Sequence, residues 1–114
     1  MRVLDVSLQA ELEIEEILVH SAAKFGLAAA FRYRILIEQA YSDLLESPTR
    51  VGVSAHDDIP KSLRLYPIRH SRDHVARDDR VGTASHVIVF RFDPHRVEIL
   101  RLLHASMEFP GRLR

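Results

Sequence analysis

HVIVFRFDPHRVEILRLLHASM, residues 86–107, decides the fold. Val, Ile and Phe crowd His86 to Phe92, Val, Ile and Leu crowd Val97 to Leu103, and both runs have the composition of β-strands. Asp93-Pro94-His95-Arg96 between them supplies turn chemistry, so the stretch predicts an antiparallel hairpin. One face of it, through Val87, Val89 and Ile99, is expected to pack against helices. A two-stranded hairpin is marginal in water, and further strands or a helical layer must cover it.

Upstream, Leu63 to His70 (LRLYPIRH) resumes a period-2 pattern and predicts a third strand. Pro67 cannot donate to a ladder, which places it at an edge or a bulge. Ser71 to Ser85 is charged and contains Gly82, and predicts an extended, flexible connection. Ala55 to Lys61 is polar and holds Pro60. Further back, Ala10, Ile14, Ile17, Leu18, Ser21 and Phe25 recur at helical spacing, with Ser7 as N-cap and carboxylates at Glu11, Glu13, Glu15 and Glu16 in the early turns. Gly26 ends that helix, and Leu27 to Glu46 forms a second. On it Ala30, Tyr33, Ile37, Ala40, Tyr41 and Leu44 share a face that Phe31 and Ile35 widen. Met1 to Val6 predicts a short strand at the sheet edge.

The order is thus an N-terminal strand, an αα-hairpin and a three-stranded antiparallel meander. It implies an α+β fold with helices on one sheet face and the other face left open. At 114 residues the chain is a single domain spanning 1–114. A basic tail, Phe109 to Arg114, ends it.

Formal net charge is zero, which argues against a generic coat for nucleic acid. The charge is uneven, however. Residues 1–50 hold five basic and eight acidic side chains, and residues 51–114 hold eleven and eight, with six of the seven histidines. Arginine outnumbers lysine fourteen to two, and its planar fork suits bidentate carboxylate or phosphate contacts. The absence of cysteine excludes disulfides and thiolate chemistry and fits a reducing compartment. The acidic N-terminal stretch is unlike a signal peptide and no run is long and apolar enough to span a bilayer, so a cytoplasmic protein is expected. His70 and His74 have the spacing of a metal pair only on a helix, and this stretch predicts strand and loop. No metal and no cofactor is therefore expected. There is no phosphate-cradling glycine loop and no serine-histidine-aspartate pattern.

Five markers in chain order carry a resemblance. They are AELEIEEI at Ala10 to Ile17, the joint Phe25-Gly26, LLESP followed by Gly52, the strand LRLYPIR, and HVIVFRF followed by VEILRLLHASM. Together they resemble the ParE/RelE superfamily of toxins from bacterial type II toxin-antitoxin modules, and the ParE branch most. That resemblance implies a RelE/ParE-like fold and a growth-inhibiting toxin that binds and poisons DNA gyrase. It implies a cognate ParD-like antitoxin, bound as a hetero-oligomer. Residues expected to meet the antitoxin are Leu12 and Val19 on the first helix and Leu63, Arg64 and Leu65 on the third strand. Arg101, His104, Arg112 and Arg114 are expected to meet the target. The alternatives are a metal-independent endoribonuclease acting on messenger RNA at the ribosome, with His104 as acid and Arg64 and Arg91 as phosphate clamps, or an inactive relic. Against the ribonuclease, Ala105-Ser106-Met107 after His104 lacks the terminal tyrosine or basic cluster of those branches.

Overall fold

A computed structural model describes residues 1–55 and 60–106. Its elements follow as β1 (Val3–Val6), α1 (Leu8–Phe25), α2 (Leu27–Glu46), β2 (Arg64–Pro67), two 3-10 segments (Ile68–His74 and Arg77–Asp79), β3 (His86–Phe92) and β4 (Arg96–His104). The hairpin runs from His86 opposite His104 to Phe92 opposite Val97. Asp93 makes its turn: Oδ1 accepts the His95 and Arg96 amides at 2.7 and 2.9 Å, and its own amide donates to the Arg96 carbonyl at 3.0 Å.

The sheet order is β1-β4-β3-β2. β2, β3 and β4 form the antiparallel meander, and β1 lies at the edge as expected, but parallel to β4. The sheet is therefore mixed. Pro67 closes β2 on the outermost strand, and the expected strand stops there because the chain turns into a 3-10 segment at Ile68.

A bulge lies in β4, where Val89 faces Arg101 but Phe90 faces Ile99, leaving Leu100 unmatched. Ser7 uses it. Its hydroxyl donates to the Leu100 carbonyl at 2.8 Å and accepts the Ala10 amide at 3.0 Å, so one side chain caps α1 and ties it to the sheet. Gly26, at φ 95°, ends α1 and begins α2 in a conformation costly for any residue with a Cβ.

The main core lies between the helices and the sheet. Ala10, Tyr33, Leu36, Ile37, Ala40, Tyr41 and Leu44 meet Tyr66, Ile88, Phe90, Val97, Ile99 and Leu102 there. Val87 and Val89 do not join it, contrary to expectation. Side chains alternate along a strand, so they project to the opposite face and cluster with Leu65 and Leu103, all buried. That face is thus not open at its centre. Val87 to Phe90 has no polar alternation, the pattern of a strand buried on both sides. Three helical positions also differ: Phe25 and Phe31 are 67% and 63% exposed, and Leu36, outside the expected stripe, is buried.

The 71–85 connection is not extended over its first half. Its arginines donate to carbonyls of the same stretch, Arg72 to Val81 at 2.7 Å and Arg80 to Val75 at 2.9 Å and Asp73 at 3.0 Å. Buried Asp43 on α2 anchors it from outside, bonding His74 Nδ1 at 2.8 Å, Arg50 at 3.1 Å and Gln39 at 2.9 Å.

Candidate functional site

Two surfaces bring chemistry together. The first is the outward face of α1, where Leu8, Leu12 and Val19 lie about one and two turns apart, away from the core. Leu12 is 47% and Val19 70% exposed, and a shallow groove between them is lined by Glu15, Glu16, His20 and Ala23. An apolar ridge with a carboxylate border suits an amphipathic segment carrying basic residues. The strand residues expected to share this role lie elsewhere. Leu65 is only 5% exposed and belongs to the second cluster, so it offers little to a partner, and Leu63 packs against that cluster. Arg64 turns its guanidinium onto its own backbone, donating to Lys61 and Leu63 carbonyls at 2.6 and 2.9 Å.

The second surface is a cavity of about 780 Å³ between the helix joint and the His86/His104 end of the hairpin. β3 and β4 pair His86 with His104, and the two rings meet edge to face at 5.3 Å. α2 adds Tyr33, whose hydroxyl bonds His86 Nδ1. The Ser85 amide donates to that oxygen at 3.3 Å and the His86 amide donates to it as well, which fills its acceptor capacity, so the phenol hydrogen goes to Nδ1 and the neutral His86 carries its proton on Nε2. His104 is fixed the same way. The Ser106 amide, which can only donate, approaches its Nδ1 at 3.1 Å and leaves the proton on Nε2.

Burial, and then the nearby His104 and His20, push His86 down to about 4, and it is neutral at ordinary pH. Burial raises Tyr33, with the Ser85 and His86 amides partly offsetting it. Around this core α1 contributes His20, Lys24 and Glu16, and α2 contributes Arg32. No carboxylate pairs with Arg32 among the described residues.

The ribonuclease set is not assembled. Arg91 faces Glu98 at 3.1 Å, six residues before His104 on β4 and roughly 20 Å away at the usual strand rise. Arg64 lies on β2 opposite Phe90, with β3 between it and His104. Arg101, expected to meet a target, instead grips Glu13 through Nε and Nη2 at 2.9 and 2.7 Å, and that bond first, offset by burial, holds its pKa above the ordinary value. Glu13 also accepts the Leu102 amide at 3.0 Å, beyond the point where β1 stops pairing with β4. Arg112 and Arg114, and the tail 109–114, lie outside the described residues. His70 and His74 do not converge either. His70 packs on Tyr66 and Gly52, and His74 turns to Asp43. No group of three or more potential ligands that could hold a metal ion occurs among the described residues.

Sequence reasoning missed the cavity, because its residues come from four elements and the loop before β3. The one available signal was the pair His86 and His104, which mark the two ends of a hairpin and must face each other once its register is set.

Among known proteins, the family described as "ParE toxin of type II toxin-antitoxin system, parDE" matches residues 4–109. A solved structure from P. aeruginosa, titled "Chromosomal ParDE TA system", is 17% identical. The likeness covers 93% of this chain and 98% of that one, with a TM-score of 0.66. That likeness shows the fold. No curated protein matches. No helix of the described residues is long and apolar enough to cross a membrane.

Proposed function

This chain belongs to the ParE toxin family of type II toxin-antitoxin systems, and from that premise we propose that it arrests growth in the cytoplasm by binding and poisoning DNA gyrase. The supporting observation is the spread of the rival catalytic set along the sheet. Cutting RNA without a metal needs a base, an acid and cations around one phosphate, and Arg91 and Arg64 stand far from His104. A binding toxin needs no such convergence.

In the same proposal a ParD-like antitoxin neutralises the toxin by laying an amphipathic segment along the Leu12/Val19 ridge, giving a hetero-oligomer. His104 remains the candidate target contact of the hairpin, and Arg101 acts by holding α1 in place.

The test is to induce the toxin without its antitoxin and measure supercoiling by purified gyrase beside messenger cleavage at the ribosome. Loss of supercoiling with intact messenger is the expected result. Cuts at the ribosome that His104→Ala abolishes would overturn it, and normal growth with neither effect would mark a relic. For the antitoxin, Leu12→Asp with Val19→Asp should abolish rescue while leaving the melting temperature within a degree or two, since both side chains face outward.

A further inference from the structure

We propose that the cavity beneath the helix joint binds a small organic anion, its apolar body against Ile17 and Phe25 and its anionic group held by Arg32 and His104. This inference is independent of which target the toxin attacks.

Three observations carry it. The volume, about 780 Å³, lies in the range of small-molecule sites, and the lining combines an apolar wall with a few converging donors. The charge is one-sided: α1 presents His20, Lys24 and Glu16, α2 presents Arg32 and the donor Tyr33, β3 presents His86 and β4 His104, so a single carboxylate faces two fixed cations and three imidazoles. Tyr33 and the Ser106 amide occupy the Nδ1 atoms of His86 and His104, which leaves both Nε2–H groups without a partner among the described residues. A guanidinium with no carboxylate partner among the described residues and two imidazole donors open to the cleft suit an anionic group. Lys24 sits over the Phe25 ring at 5.3 Å, which holds a further positive charge at the rim.

The chemistry fits a phosphate ester or a carboxylate alike, and the probes distinguish them.

The test titrates the full-length protein by calorimetry with inorganic phosphate, adenosine monophosphate and benzoate at neutral pH. The expected result is that one of the two organic anions binds more tightly than inorganic phosphate. Preference for the nucleotide assigns a phosphate ester and preference for benzoate a carboxylate. Arg32→Ala should weaken binding about tenfold, as expected for one charge-assisted contact, and His104→Ala should weaken it as well. Arg91→Ala, at the far end of the hairpin, should change nothing. The proposal is overturned if no probe binds at millimolar concentration, or if Arg32→Ala binds equally while melting like the parent.

Discussion

Tyr41 places its hydroxyl in the core with no hydrogen-bond partner among the described residues, and burial, with Glu11 and Glu13 nearby, raises its pKa far above the ordinary value. An unpaired buried hydroxyl costs free energy that a bare ring does not. Tyr41→Phe should therefore be neutral or stabilising by up to about 1 kcal/mol, read as an unchanged or raised denaturation midpoint. Gly52 is the opposite case. Its φ of 102° disfavours any side chain, and a Cβ there would lie 2.8 Å from the His70 ring. Gly52→Ala should cost about 1–3 kcal/mol, and adding His70→Ala should recover only the steric part and leave the backbone strain. Gly26 also has a positive φ, but its Cβ would meet nothing within 4 Å, so only the conformational cost applies there.

At the scale of elements, α1 is joined to the sheet by two polar clasps rather than by its apolar stripe alone. Ser7 spans the bulge, and Glu13 takes both Arg101 and the Leu102 amide. Ser7→Ala removes a cap and a long-range hydrogen bond together and should cost about 1–2 kcal/mol in urea unfolding. A double-mutant cycle of Glu13→Ala and Arg101→Ala should show coupling of about 1 kcal/mol, reduced by the arginine's exposed side and by salt. Neither clasp was legible in the sequence. The Glu11 to Glu16 run looked like a solvated helix face, and only the bulge at Leu100 turns Arg101 and Leu102 toward Glu13. What was legible depended on local chemistry: Asp93-Pro94 for the turn, Ser7 and Gly26 for the ends of α1, and period 3.6 for the core faces of both helices. The 71–85 stretch failed because its arginines find partners among their own carbonyls and its anchor, Asp43, sits 28 residues before Ser71. Composition cannot distinguish such a charge from one facing water. The cavity was hidden for the same reason, since it exists only after both helices close over the hairpin.

Over the whole molecule, two buried polar centres make stability depend on acid in separate windows. His86 has its pKa depressed in the fold, so the unfolded chain binds its proton more readily, and the associated stability is complete above 6.5 and falls away toward about 4. The loss should be on the order of 1 kcal/mol once solvent screening at a partly exposed ring is allowed for. Burial alone would raise Asp43, but hydrogen bonds from Ser71, Gln39 and His74 and the charge of Arg50 outweigh it and lower its pKa. Its contribution persists through the first window and is lost as pH falls below the ordinary carboxylate value of 3.8. Melting temperature followed from neutral pH downward should therefore drop in two stages, and His86→Phe should flatten the first while leaving the second. The parallel seat of β1 beside β4 has a consequence for synthesis. Val3 to Val6 are made long before their strand partners among the described residues, Arg96 to Ile99. The αα-hairpin, built from near neighbours, can form early, whereas closing the sheet requires contacts between the two ends of the chain, the slowest kind to establish. The sheet thus stays incomplete until β4 is made, and the αα-hairpin waits through the synthesis of the whole meander for the surface it covers.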